Sequence, residues 1–578
     1  MRHLYLFIIA ALLSACSAPD PYESLNRQAL EEYNIPVRPG YEGRNPYWNA
    51  FSGKFLYAPA FDFKPVDGAT LYKYSIKPAA KDATAEWSFT ADAPNLSLAP
   101  VWGEVEVGNV VLTVEALNQE GKVVGVAGER KFYRDSPFTA PYHTAVRGYK
   151  ESALLALLHI HNMSPMQSWK VAAQPDMSYN LNTYPCKIIG STISLEVLLS
   201  KLCPELREDA LLIAENAARF LIAESRPEGE PLAFFPPTYY GNYITSGATR
   251  NKGKTMTMEA LTAANAFLDL YDVTQNEEYY NRAINITNTY ARLQVDDGSF
   301  PIKMDFLTGE PVNGVKAMLH PLLEYLQRLE QQYGVKEYGQ MFERAEQWMR
   351  EHTLSSFDMT GQFEDGTVLG LQPYENLTNC TAAPYATYLL GKEDMTDGEL
   401  QDAIDLIRFS EDQFVFWDSP VKRYGVKLYH TPYVAEQYKY MMPVDHSACN
   451  VANAWLSLYQ RTGDELSLAK AKALIDHITI LQNANTGMIP TFWRNFFSGE
   501  DWINCTLLSI QTLLRMEELE NSKFIIQNSK LKFMLRHPPT CVARRWGSST
   551  YLRYCVSFFT GGLIHRKGGV TFATFGVG

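Results

Sequence analysis

Asp445, Glu375 and His446 stand at or just before the first turn of segments whose apolar pattern predicts helices, and their side chains are of the kinds that move protons. Comparable positions carry the aromatic residues Tyr239, Tyr240, Tyr374, Tyr433, Tyr438, Trp493 and Trp502, and the cations Arg250, Lys252 and Arg494. Glu259, Asp305, Glu364, Asp365 and Asp501 are placed alike. Cleaving a glycosidic bond needs one carboxyl to protonate the leaving oxygen, a second as base or nucleophile, and aromatic faces to hold the ring. Asp445 is the first candidate for the general acid/base and Glu375 for the second carboxylate. Each also fits a structural role: Asp445 and Glu375 as helix N-caps, His446 as a core histidine, and Glu364 and Asp365 as turn residues before Gly366. Exposed cations such as Arg250 and Arg494 are commonly just solvated, or could pair with a substrate carboxylate.

The elements that position these residues are helix pairs. From Pro443 to Pro490 the chain reads as a hairpin whose first helix, with Ala448, Ala452, Trp455 and Tyr459 on one side and Cys449, Val451 and Leu458 on the other, is apolar nearly all round and so buried. Its second helix keeps Ala471, Leu474, Ile475, Ile478 and Leu481 on one stripe, as expected of an outer helix. Thr462-Gly463-Asp464 makes the turn between them. The same design recurs. Inner helices are expected to start near Gly190, Met256, Asn313, Asn376, Asp445 and Asn504. Outer ones are expected over Thr144 to Met163, Leu206 to Ser225, Asn276 to Gln294, Val335 to His352, Thr396 to Phe414 and Glu465 to Leu481. That is a helix pair repeated along the chain, and twelve alternating helices can close into a ring; an open superhelical array is the competing architecture.

Three turns between an outer helix and the next inner one, Val295 to Pro301, Thr360 to Gly366 and Asn485 to Pro490, share a Gly-centred form. On these turns and the alternation, the stretch from Thr144 to Leu519 resembles the six-hairpin (α/α)6 toroid enzymes, a fold of glycoside hydrolases, polysaccharide lyases and sugar epimerases. The expected fold class is therefore mainly α, an (α/α)6 toroid over residues 140–519 preceded by a small β-sandwich. The resemblance, closest in kind to the unsaturated-glucuronyl hydrolase and glucuronidase types, implies a glycoside hydrolase acting on an oligo- or polysaccharide that contains uronic acid. It carries no residue assignment, because no long motif matches one family. A lyase that uses His446 or a tyrosine as base, with Arg or Lys on the uronate, is the alternative enzyme. A non-catalytic glycan-binding lipoprotein is the alternative outside enzymes.

The rest of the chain bounds these readings. Arg2 and His3 precede an apolar run, Leu4 to Leu13, of signal-peptide length. Leu13-Ser14-Ala15-Cys16 resembles a bacterial lipoprotein box, which implies lipidation at Cys16, a tether over residues 17–40 and a lipid-anchored place in the cell envelope. Residues 41–135 alternate in short runs, and Phe63 to Ala69 with Tyr72-Lys73-Tyr74 resembles the opening of a fibronectin type III-like module. Such a module would brace the next domain, or bind glycan through Tyr47, Trp48 and Trp102. With 52 basic against 64 acidic residues the formal charge is −12, which excludes a broad nucleic-acid surface. Besides Cys16 the seven cysteines have no framework or metal spacing, and no HExxH, phosphate-loop or dinucleotide motif is present, so no cofactor is expected. Residues 520–578 form a basic tail without an acidic side chain beyond Glu520.

Overall fold

The computed structural model describes residues 20–241 except 39, 42, 43 and 81, residues 250–360, residues 372–494 except 419–421, 424, 425 and 428, and residues 501–536. Cys16, Glu364 and Asp365 lie outside them. The chain divides into two compact units, Met1–Glu518 and Leu519–Gly578. In the second, the described residues continue a helix as far as Arg536. None of the described helices is long and apolar enough to cross a membrane.

Residues 41–135 form one five-stranded sheet among the described residues, where the sequence suggested a sandwich of two. Strands β1 (Lys54–Phe55), β2 (Leu71–Pro78), β3 (Trp87–Ala91), β4 (Gly108–Leu117) and β5 (Val123–Arg134) lie in the order β1-β5-β4-β2-β3. All neighbours are antiparallel except β1 and β5. Period-two alternation buries Val110, Leu112, Val114 and Ala116 along β4. The layer over that face is irregular chain and the short helix Ala99–Trp102 rather than a second sheet among the described residues: Phe61 and Trp102 meet Phe132 of β5 at 5.9 and 6.0 Å. Alternation in sequence reports that one face is buried and says nothing of what buries it.

The sheet braces the helical part. Trp48 is buried and stacks on Phe409 at 6.1 Å, and Trp102 is buried with its indole N–H donated to the Leu56 carbonyl at 2.9 Å, so neither offers a face to glycan. Lys54 donates to the carbonyls of Asp412 and Val415 at 2.7 and 2.9 Å. Arg44 pairs with the buried Asp405 at 2.7 Å. An N-terminal helix, Glu23–Glu32, sets Glu32 against Lys470 at 2.8 Å and Arg408 at 3.2 Å. Next to them Glu411, fully buried, accepts from the Tyr33 and Tyr57 hydroxyls (2.8 and 2.7 Å), the Trp417 indole (2.9 Å) and the Lys470 ammonium (2.8 Å).

The helical part alternates as expected. The outer helices are α1 (Tyr149–His161), α3 (Arg207–Glu224), α5 (Glu277–Leu293), α7 (Gly339–Trp348), α9 (Asp397–Phe414) and α11 (Glu465–Leu481). The inner ones are α2 (Gly190–Leu202), α4 (Ala260–Thr274), α6 (His320–Tyr333), α8 (Asn379–Gly391), α10 (Asp445–Thr462) and α12 (Ile503–Arg536). Gly463, at φ +77, ends α10 in the left-handed region, and the Asp464 carboxylate accepts the Ser467 N–H at 2.9 Å to start α11. Only the start of α6 departs by about two turns from the expected Asn313. Residues 312–314 bend and residues 315–319 are not helical, with Lys316 bridged to Pro301, and Pro321 marks the true first turn, where its missing N–H costs nothing.

Two rim glycines show how the ring closes. Gly298 (φ +87), in the turn after α5, packs so tightly on the Arg344 carbonyl of α7 that a Cβ would overlap it. Gly487 (φ +82), in the turn after α11, does the same on the Leu155 carbonyl of α1. The last outer helix thus stands beside the first as α5 stands beside α7. Gly487→Ala is expected to cost about 2–4 kcal/mol, from the left-handed backbone and the overlap together, read as a lowered denaturation midpoint.

Candidate active site

All six inner helices meet at one cavity of about 760 Å³, lined by Ser191 of α2, Thr262 of α4, His320 and Glu324 of α6, Cys380 of α8, His446 and Ser447 of α10, and Cys505 and Gln511 of α12. The fold is a closed (α/α)6 toroid.

Three carboxyls, one ammonium and two imidazoles reach this cavity among the described residues: Glu259, Glu324, Glu436, Lys187, His320 and His446. Local irregularities deliver two of them. Lys187 sits in a π-helical turn, Pro185–Ile189, that leads into α2. Glu436 lies on the strand Tyr433–Gln437 where its register against Tyr440–Pro443 slips between Ala435 and Gln437, the kind of bulge that re-aims a side chain. Glu259 closes the single 3-10 turn before α4 and faces Lys187 at 4.0 Å. His320 and Glu324, four residues apart on α6, share one helix face.

Glu324 is chemically distinct. It is exposed to the cavity, yet lies deep enough in the ring for surrounding protein to push its carboxyl up to about 8. It makes no hydrogen bond or ion pair among the described residues. The histidines move the other way: burial brings His320 down to about 3, and burial with the nearby Lys187 charge brings His446 down to about 4, so both rings are neutral at pH 7. The buried Nδ1 of each ring and the Asn504 carbonyl oxygen find no hydrogen-bond partner among the described residues. Trp502, Phe492 and Tyr440 supply aromatic wall, with Trp502 edge-on to Phe492 at 6.4 Å. Burial pushes the Cys380 thiol up to about 12 and Cys505 well above its ordinary value, which leaves neither as a ready nucleophile.

Of the residues expected from sequence, the structure brings His446, Trp502 and Glu259 to the cavity. Asp445 stands behind the wall. It is fully buried at the first turn of α10, accepting the His446 N–H at 2.8 Å and the Ser509 hydroxyl of α12 at 3.0 Å. Glu375 is on a different surface, bound by Lys439 beside a hollow of about 300 Å³ next to the sheet; that ammonium holds its carboxyl below the usual range. Tyr239 packs on Tyr184 at 5.9 Å and Tyr240 edge-on to Phe220 at 5.2 Å. The Tyr374 hydroxyl donates to the Ser356 carbonyl at 2.9 Å. Tyr433 stacks on Phe416 at 4.6 Å, Trp493 is buried against His477 at 5.2 Å, and Arg494 lies over Phe492 at 4.4 Å. Arg250 is exposed beside the undescribed residues 242–249. None of these lines the cavity.

Glu324, Glu436 and Lys187 were missed because chemistry was sought at first turns, and His320 because the first turn of α6 was expected near Asn313. The signal for Glu324 was its charge inside the apolar run Leu322-Leu323-Glu324-Tyr325-Leu326 of an inner helix.

No family model matches the chain, and no curated protein matches it. Among solved structures it is similar to a family 76 glycoside hydrolase from a bovine Bacteroides thetaiotaomicron strain, with TM-score 0.43 and 10% identity over 78% of this chain and 93% of that one. It is also similar to cellobiose 2-epimerase from Spirochaeta thermophila (0.43, 10%, 60% and 89%) and to unsaturated glucuronyl hydrolase from Streptococcus agalactiae (0.30, 12%, 65% and 82%). At such scores none of them bears on the reaction.

The placement of Asp445 yields a test. Burial raises its carboxyl to about 8, so the folded protein keeps a proton that the unfolded chain releases near pH 4. Its contribution to stability is complete below pH 4 and is lost as pH rises to about 8. Asp445→Asn keeps a neutral, hydrogen-bonding side chain. It is expected to stabilise the protein at pH 8 by a few kcal/mol relative to its effect at pH 4, read from denaturation midpoints at both pH values. Loss of activity without that stability gain would return Asp445 to the candidate acids.

Proposed function

We propose that the central cavity is the active site of a carbohydrate-active enzyme that hydrolyses a glycosidic bond. The observation that supports it is the pair of carboxyls in contrasting surroundings. Glu324, unpartnered and protonated at neutral pH, is the acid that protonates the leaving oxygen; Glu259, ion-paired with Lys187, is the carboxylate that activates water or attacks the sugar. The aromatic wall of Trp502, Phe492 and Tyr440 gives the ring a face to lie on.

A lyase is the second reading, favoured by one feature: His446, neutral beside the Lys187 charge, has the form of a base next to a carboxylate-binding cation. Incubation with neutral and uronate-containing oligosaccharides, following reducing ends and ultraviolet absorbance together, separates the two. New reducing ends without absorbance support hydrolysis, absorbance rising with them replaces it by elimination, and silence in both channels removes both.

The same reading places the enzyme in the cell envelope, held by lipid on Cys16 of the Leu13-Ser14-Ala15-Cys16 box. Labelled fatty acid fed to expressing cells is expected in the wild-type chain and absent from Cys16→Ala.

A further inference from the structure

Resting on the reading of the central cavity as a saccharide site, we propose that the hollow beside the sheet is a second saccharide subsite, taking the part of the sugar chain that leaves the cavity. One strand divides the two spaces. Along Tyr440–Pro443, Tyr440 lines the cavity, Met441 lines the hollow, and Met442 packs with Val444 and Phe492 of the cavity wall. This is the two-residue alternation that turns neighbouring side chains to opposite faces. A saccharide that overruns the cavity past Tyr440, itself 37% exposed, meets the hollow next.

The lining of the hollow suits a sugar ring. Its volume of about 300 Å³ is at the small end of ligand sites. Phe51 from the sheet side and Met441 from the strand, 43% and 37% exposed, give it apolar wall, and Glu375 paired with Lys439 gives it a polar rim. A sugar ring carries the same two characters, C–H groups on its faces and hydroxyls round its edge. Phe51 is also held in place. The Asn49 side-chain carbonyl accepts the N–H groups of Phe51 and Ser52 at 2.8 and 3.1 Å, and the Arg130 guanidinium donates to the carbonyls of Asn49 and Ser52 at 2.7 and 2.6 Å. The Ser52 hydroxyl meets that of Tyr438 at 2.9 Å, and the Lys439 N–H donates to the Asn376 side chain at 2.8 Å, so both walls are fixed before a ligand arrives. A lone exposed phenylalanine needs no explanation, whereas one fixed in this way on a hollow continuous with the cavity wall gives the sheet a part in binding as well as bracing.

Gly53 makes the subsite testable. A Cβ there would meet nothing within 4 Å, and its φ lies outside the left-handed region, so Gly53→Leu puts a side chain into open space at the hollow without straining the backbone. Calorimetric titration of the full chain with cello-, manno- and xylo-oligosaccharides, from disaccharide to hexasaccharide, is expected to show affinity rising by about tenfold or more with length in at least one series. In Gly53→Leu, which fills the hollow, and in Phe51→Ala, which strips its wall, that gain should fall to about threefold or less, with circular dichroism confirming that each variant is folded. No gain with length in any series, or a gain that either folded variant keeps, would overturn the proposal. Reducing ends assayed in the same mixtures report turnover separately. Length-dependent binding without release sinks hydrolysis and leaves this subsite standing, and release without length dependence does the reverse.

Discussion

Glu324→Gln is expected to lower kcat by about 10²–10⁴-fold while leaving substrate binding within a few fold, because the amide keeps the shape and cannot give up a proton. Glu324 is the one cavity carboxyl without a partner among the described residues, and its surroundings hold it near 8, so it carries its proton throughout the neutral range. An acid of that kind is lost as pH rises through its pKa. Wild-type kcat is therefore expected to fall on the alkaline side near pH 8, and the residual activity of Glu324→Gln to lack that limb. Substrates with a leaving group that departs without protonation, such as a nitrophenyl glycoside, should recover much of the lost rate in the variant. If Glu324→Gln kept full activity with its alkaline limb intact, the acid would have to be sought elsewhere on the wall, with Glu436 next.

Glu411→Ala should destabilise the protein by about 3–5 kcal/mol, the largest effect expected of any single change outside the cavity. The substitution removes the acceptor of four donors at once. It leaves the hydroxyls of Tyr33 and Tyr57 and the Trp417 indole facing a space with no acceptor, and leaves the Lys470 ammonium, 1% exposed, with Glu32 as its remaining partner. Glu411→Gln retains an oxygen acceptor and should cost less. Chemical denaturation followed by tryptophan fluorescence reads both variants, and equal, small shifts for the two would mean that the network contributes packing rather than charge.

Helices were far more legible in the sequence than the site. The outer helix Glu465–Leu481 was bounded to the residue, and the inner helices at Gly190 and Asp445 began where expected, because Gly463, the Asp464 cap and the apolar stripes are local signals. Near Asn313 the same logic failed: a bent rim segment mimicked a helix approach, while the informative residue was Pro321. The sheet was legible as strands, but its partner layer depends on contacts with Phe409 and Asp412, some 350 residues away, which no local pattern records. The site suffered most. First-turn acids such as Asp445 look identical in sequence whether they face the cavity or the gap to α12, since a rotation of a fraction of a turn decides it. Lys187 and Glu436 reach the cavity through a π turn and a bulge, irregularities that break the periodicities on which sequence reading depends.

The clasp around Glu411 and Lys470 also sets a clock on synthesis. Tyr33 and Glu32 find their partners 378 and 438 residues later in the chain. At roughly 5–20 residues per second, about 20–90 s of translation separate them. For that interval the Tyr33 hydroxyl and the Glu32 carboxylate lack these partners, and a chain stalled or cleaved before Lys470 leaves Glu32 with Arg408 alone. Any version that begins after Glu32, though it keeps every cavity residue, removes the helix whose last residue pairs with Lys470 and Arg408 on two outer helices of the ring.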